Sequence, residues 1–262
     1  MIIENANEKD ISVLKKMWKD IFNDPDNYID LFFDNKMKLK YTFVAREYEQ
    51  IVSTAYLINS PILTDDNKTI PAFYMCGIST SQEARGKGYA RKVIDHCFEF
   101  AKNEGAELCY LVPANLSLFD FYKKLGMTPF TYLIKNEFRP EKSENPTFKK
   151  DFDGEKMLRI YNKLKFPFKP LRTVDDFSFI HSAYDVYLFE NDYIVLEETE
   201  NLVHVVEQTF GTNNVAKALA YNKKKRLFIS AHGTKDDTPY TAVKILNNNI
   251  KLSKDGYLNL FL

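Results

Sequence analysis

Arg85-Gly86-Lys87-Gly88-Tyr89-Ala90 sets glycines and cations side by side, just before a segment whose apolar positions Val93, Ile94, Cys97, Phe98 and Ala101 recur at helical spacing. Glycine has no Cβ, so at Gly86 and Gly88 the backbone can take positive φ and come close to a ligand. Unpaired N–H groups at the start of the following helix point outward and, with the positive end of the helix dipole, make an anion site. Lys87 and Arg91 add positive charge at its rim. The chemistry this suits is the binding of a phosphorylated cofactor.

Each glycine-rich phosphate loop needs particular residues at fixed offsets. A Walker loop requires Gly-x-x-x-x-Gly-Lys-Ser/Thr, but here Ser81 stands where the first Gly should be and Gly88 follows Lys87. A dinucleotide fingerprint wants Gly or Ala three residues after Gly88, and the residue is Arg91, too bulky for close helix–strand packing. What remains is Arg-x-x-Gly-x-Gly/Ala, met by Arg85, Gly88 and Ala90. This resembles the pyrophosphate-binding turn of the GNAT superfamily of N-acetyltransferases. The resemblance extends over residues 1–138.

Its other motifs follow in family order. Phe73 to Thr80 reads as a strand, with Gly77 inside it marking a bulge or a close backbone approach. Glu107 to Pro113 is an apolar run of strand length, followed by Asn115. Leu118 to Gly126 resembles the family's Phe-Tyr-x-x-x-Gly signature. The resemblance implies that acetyl-coenzyme A is the cosubstrate and that Ile78 and Thr80 offer backbone bonds to its pantetheine arm. It further implies that Arg85, Gly86, Lys87, Gly88, Tyr89 and Ala90 hold the pyrophosphate, that Asn115 adds a polar contact, and that Tyr122 is the general acid. The plainer alternatives are that Arg85 only anchors the turn and that Tyr122 is a core aromatic with no catalytic role.

Acetyl transfer asks for few groups. An amine attacks a thioester held against a strand, so positioning supplies much of the rate, and a backbone N–H near Ile78 can stabilise the oxyanion. The leaving thiol has a reference pKa of about 8.5 and tyrosine about 10, so Tyr122 is protonated at neutral pH and can donate to sulfur. For the base, Glu47, Glu49, Glu83 and a bridging water all stay open. Two other readings stand beside N-acetyl transfer to a primary amine: a non-catalytic coenzyme A sensor, and an acyltransferase for longer acyl groups or an oxygen acceptor.

The 262 residues carry 36 Lys plus Arg against 36 Asp plus Glu, which gives no general electrostatic reason to bind nucleic acid or a membrane. No leader or spanning segment is read, so the cytoplasm is the expected compartment. Cys76, Cys97 and Cys109 read as buried thiols, and no Cys or His spacing suits a metal.

The expected fold class is α/β (α+β): a GNAT-like mixed sheet with flanking helices over 1–138, then a smaller second α/β domain over 147–262. A helix with Ile11, Leu14, Met17, Trp18 and Ile21 on one face leads into a second helix with Tyr28, Leu31 and Phe32. Strands Tyr41 to Tyr48 and Ile51 to Leu63 follow. By resemblance, Trp18, Phe22, Tyr28 and Phe32 are candidates to line the acceptor site. A charged, proline-flanked linker runs from Arg139 to Pro146. Beyond it, a hairpin, a strand, a helix over Val215 to Tyr221 and a strand over Leu227 to Ser230 repeat the order of the first unit. The corresponding turn, Thr209 to Asn214, lacks the Arg-x-x-Gly-x-Gly/Ala pattern, so this half reads as a degenerate copy that binds no coenzyme A. Such a half completes the acceptor cleft or the dimer in two-domain members, which brings a homodimer within what the resemblance implies. Phe166, Phe168, Phe177, Phe179, Tyr184 and Tyr187 read as its core, and His181, His204 and His232 as surface or satisfied core residues.

Overall fold

The computed structural model describes residues 1–142, 150–209, 212–247, 252 and 256–258. Of the expected linker, Ser143, Glu144, Asn145 and Pro146 lie outside the described residues, as do Phe210 and Gly211 of the second turn.

After β1 (Ile2–Asn5), a capping box between Asn7 and Asp10 closes a 3-10 turn (Glu8–Asp10) that runs straight into α1 (Ile11–Phe22), which buries Leu14, Met17 and Trp18. It stops at Asn23, whose φ of 58° is left-handed and suits Asn. α2 (Asp26–Asn35) buries Ile29, Phe32 and Phe33. β2 (Thr42–Glu47) and β3 (Gln50–Asn59) form a hairpin. The run Ile51 to Leu63, expected as one strand, is divided at Ser60-Pro61, and β4 (Ile62–Thr64) leaves the sheet to pair with β5 (Thr69–Ile70). Pro61 has no N–H to continue a ladder. Next come β6 (Ala72–Thr80), α3 (Tyr89–Asn103), β7 (Leu108–Leu111), α4 (Leu118–Lys123), β8 (Thr128–Pro129) and β9 (Tyr132–Phe138). The remainder is α5 (Gly154–Lys163), β10 (Phe168–Pro170), α6 (Val174–Ala183), β11 (Asp185–Leu188), β12 (Tyr193–Glu198), β13 (Leu202–Gln208), α7 (Asn213–Asn222), β14 (Arg226–His232), β15 (Thr238–Pro239) and β16 (Ala242–Ile245). Helices α5 and α6 are not read from the sequence, although both have N-caps, at Asp153 and Thr173.

Among the described residues, a seven-stranded sheet has the order β1-β2-β3-β6-β7-β16-β8 and a six-stranded sheet the order β11-β12-β13-β14-β9-β15. The same motif occurs in both: antiparallel strands, then a parallel pair joined by a helix, β6-α3-β7 in one and β13-α7-β14 in the other. The strand beyond each parallel pair is exchanged between the halves. β16 pairs antiparallel with β7, and β9 pairs antiparallel with β14. β10 adds to β4 as a further crossing.

Alternation along β6 and β7 sorts their side chains between two faces. Phe73, Met75, Cys109 and Leu111 pack with Val93, Ile94 and Cys97 of α3, whereas Tyr74 and Tyr110 join Ile62, Phe168 and Val243 on the opposite face. The second half is held from inside by Arg172, which donates to both Glu207 oxygens at 2.7 and 2.9 Å, while the phenols of Tyr193 and Tyr257 donate to the same carboxylate. Neither charge of the pair reaches solvent to any extent, which makes the bidentate geometry and the added donors necessary.

Candidate active site

Pairing between β6 and β7 covers only Ala72↔Leu108 to Tyr74↔Tyr110. β6 runs on to Thr80, so its edge facing β7 is free beyond Tyr74, and Ile78 and Thr80 both lie on this stretch. The divergence begins where β6 bulges. Thr54 opposes Ser79 and Tyr56 opposes Cys76, leaving Gly77 and Ile78 across from Ala55 alone. Gly77 sits at φ +57°, and a Cβ there would stand 2.5 Å from the Tyr56 ring and 2.7 Å from that of Trp18. No other residue fits that position without displacing both rings.

On the α3 face, the turn after β6 has the form expected of an anion site. Gly86 and Gly88 take φ of 77° and 81°, and no side chain caps the first turn of α3. The Arg85 Nε reaches back to the Thr80 carbonyl at 3.4 Å, which ties the turn to the end of β6. Lys87 is more than half exposed and lies 3.9 Å from Glu47. Tyr89 packs its ring into the core, with its phenol bonded to Glu47, and Ala90 continues the first turn. Glu47 is thereby engaged on the cofactor face. Asn115 is exposed in the loop between β7 and α4 and accepts from the Ser117 hydroxyl at 2.6 Å.

Tyr122 projects from α4 into the same core cluster as α3 and is 6 % exposed. Burial pushes its phenol up to about 12, so it stays protonated through the physiological range.

The opposite face opens into two connected spaces that share Tyr74, Val112 and Tyr184. One, of about 590 Å³, lies between α1, α2 and the diverging strands, with Trp18, Phe22, Tyr28, Cys76 and Gly77 in its wall. Phe32, one of the four candidates for this wall, takes the alternative core role and is fully buried beneath Trp18, ring centroids 4.5 Å apart. Asp24 and Glu197 supply its charge, and the walls of both spaces, among the described residues, contain no Lys or Arg. The Trp18 indole donates to Asp24 at 2.7 Å. The second space, of about 460 Å³, reaches into the second sheet. There Phe166 and Tyr184 are wall residues, while Phe168, Phe177, Phe179 and Tyr187 are core as expected. His204, Ser230 and His232 also line it. Burial first, and the nearby Glu197 and Asp24 charges after it, push the Tyr184 phenol up to about 12.

The sheet thus separates the glycine turn from an acidic, aromatic-walled cleft, and the cleft wall includes Tyr74 and Val112, where β6 and β7 part. Glu197, His204, Ser230 and Asp24 have no motif in the sequence. Glu197 and His204 meet by strand pairing, directly opposite each other across β12 and β13.

Cys97 and Cys109 are buried and Cys76 partly so, all as free thiols. Among the described residues no group of His, Cys, Asp and Glu could hold a metal ion, and no helix is long and apolar enough to cross a membrane.

Residues 3–130 match the family model of the acetyltransferase (GNAT) domain. No curated protein matches the chain. Among solved structures, a protein of unknown function from Enterococcus faecalis V583, a probable N-acyltransferase, superimposes with a TM-score of 0.73 at 14% identity, over 94% of this chain and 72% of the other. A GCN5-related N-acetyltransferase from Kribbella flavida gives 0.69 at 11% identity, over 94% and 72%. One from Anabaena variabilis ATCC 29413 gives 0.68 at 12%, over 94% and 73%. At these identities the likeness is one of fold, and it extends through both halves.

Proposed function

We propose, from the match of residues 3–130 to the acetyltransferase (GNAT) domain, that this chain transfers the acetyl group of acetyl-coenzyme A to a primary amine by direct attack on the thioester. The observation that carries this reading is the gap between β6 and β7, with the glycine turn on one face of the sheet and the acidic cleft on the other.

The turn Arg85 to Ala90 receives the pyrophosphate on the N–H groups at the start of α3, with Lys87 at the rim. Ile78 and Thr80 present backbone to the pantetheine arm along the free edge of β6, and Asn115 adds a polar contact at the mouth. The amine enters from the far face, where Asp24, Glu197 and the rings of Trp18, Tyr28 and Tyr184 suit a cation. The bulge at Gly77 turns a backbone N–H toward the developing oxyanion. Tyr122 reaches the departing sulfur from the α3 face and protonates it.

The test is a panel of amines assayed for free thiol release from acetyl-coenzyme A, beside calorimetric titration with coenzyme A. Amine-dependent release and one equivalent of coenzyme A bound per chain are expected. Binding without release across the panel would make this a sensor, and absence of binding would remove the reading altogether.

A further inference from the structure

Attack requires a neutral amine, and ammonium groups reach the cleft protonated, so a group on the acceptor face must take a proton. The Glu residues near the turn do not serve: Glu47 is held by Lys87 and Tyr89 on the cofactor face, and neither Glu49 nor Glu83 lines either cavity.

Strands β12, β13 and β14 lie side by side, and their alternation brings Glu197, His204 and Ser230 into a row on the cleft side of the second sheet. The opposite side of β13, Val203 and Val205, packs on α7. His204 Nε2 is 2.8 Å from Ser230 Oγ, and its Nδ1 is 3.7 Å from Glu197 Oε2. At 3.7 Å the Glu197 carboxylate lies in ion-pair range of Nδ1 without hydrogen-bonding it, and its charge favours the tautomer with the proton on that side; in that tautomer Nε2 accepts from the Ser230 hydroxyl. His204 and Ser230 line the 460 Å³ space and Glu197 lines the 590 Å³ one, and both spaces touch Tyr74 and Val112, where β6 and β7 part. A base held by an orienting carboxylate, in a cavity that reaches the reacting position, is the arrangement general-base catalysis needs.

We infer that His204, oriented by Glu197 and reached through the Ser230 hydroxyl, is the proton acceptor for the incoming amine, so that the second half of the chain completes the active site of the first. The inference rests on the acetyl-transfer reading above. The ammonium gives one proton through Ser230 to Nε2, and the freed lone pair forms the C–N bond at the thioester carbonyl. The C–S bond breaks and Tyr122 protonates the sulfur. The nitrogen, on becoming an amide, releases a second proton that restores Tyr122, and His204 returns its own to solvent. The net products are one amide, one thiol and one proton.

Other groups face His204 as well. His232 lies beyond Ser230 on β14, and Lys135 of β9 stands opposite Ser230 with its ammonium over the Phe228 ring. Tyr184, Tyr240 and Tyr257 line the same space with Glu207, which is committed to Arg172, Tyr193 and Tyr257. Glu197 is the carboxylate within ion-pair distance of the His204 ring.

The experiment measures kcat and KM against pH for thiol release in the wild type, His204→Gln and Glu197→Gln, each checked for folding by thermal melting. With His204→Gln, turnover should fall about 10²-fold and the acidic limb should flatten. Glu197→Gln keeps the imidazole but removes the carboxylate that orients it, so kcat should fall about tenfold with KM unchanged, and Glu197→Asp should recover part of the loss. Glu197 is largely exposed, so this second variant remains a test even where His204→Gln does not fold. An active wild type whose turnover and acidic limb survive both substitutions would overturn the inference alone. A wild type that releases thiol with no amine would overturn the acetyl-transfer reading and this inference with it.

Discussion

Replacing Tyr122 with Phe separates chemistry from packing more cleanly than any other single change at this site. The ring sits in the core cluster with α3, and no hydrogen bond to its hydroxyl occurs among the described residues, so Tyr122→Phe keeps the packing and strands no partner. Stability at pH 8 should therefore stay within about 0.5 kcal/mol of wild type. Turnover should drop by about 10²-fold or more, equivalent to about 2.7 kcal/mol of transition-state stabilisation. The pH profile carries a further signature. Because burial raises the phenol to about 12, the acid stays protonated well past the ordinary tyrosine value, and the wild-type rate should show no alkaline loss from this group below about pH 11. The same shift acts on folding. A phenol near 12 when folded and near 10 when unfolded contributes stability that is complete below pH 10 and disappears as pH rises toward 12. Two pK units correspond to about 2.7 kcal/mol. Urea unfolding at pH 8 and pH 11 should show wild type losing part of that amount and the Phe variant being spared it. Single-turnover rates with chemistry limiting would decide the catalytic half: a variant within threefold of wild type would make Tyr122 a packing residue and assign sulfur protonation to water or another group.

Three further outcomes are expected. Gly88→Val places a β-branched residue at φ 81° with nothing within 4 Å of its Cβ, so calorimetry should show coenzyme A binding lost and melting should report only the backbone strain of about 1–2 kcal/mol; wild-type affinity would take the turn out of the site. Gly77→Ala combines a left-handed backbone with ring contacts at 2.5 and 2.7 Å and should destabilise by about 2–5 kcal/mol, read as a lower urea midpoint, and a loss under 1 kcal/mol would mean that the bulge can be rebuilt. Arg172→Met leaves Glu207 charged and buried, a loss of about 3–5 kcal/mol by chemical denaturation, which the double variant with Glu207→Leu should largely recover.

The local structure of the side proposed to hold the cofactor was legible in the sequence because it is built from neighbours along the chain. Gly77, the turn from Arg85 to Ala90, Asn115 and Tyr122 all fall within one strand–turn–helix–strand–helix stretch, and their conformations follow from local rules: positive φ at glycine, exposed N–H groups at a helix start, two-residue alternation along a strand. The order of strands and one helix in the second half was legible for the same reason, since alternation and helical spacing are short-range signals. Helix α6 went unread because Phe177 and Phe179 break the one-faced helical pattern, whereas α5, with Met157, Ile160 and Tyr161 at helical spacing behind the Asp153 cap, carried a legible signal that was not read.

The cleft proposed to take the acceptor was decided only by tertiary pairing. Nothing near His204 in the chain indicates that Glu197 stands across from it or that Ser230 lies 2.8 Å away, because strand register depends on the whole sheet and its buried face. Nor does any local signal reveal that β9 and β16 trade sheets, since the partner of an edge strand is chosen by which apolar faces are covered when the halves close. The sequence alone determined where the glycine turn before α3 forms, through backbone freedom at particular residues. The fold determined what faces it across the sheet, because residues more than 100 positions apart meet there only once every strand has found its neighbour.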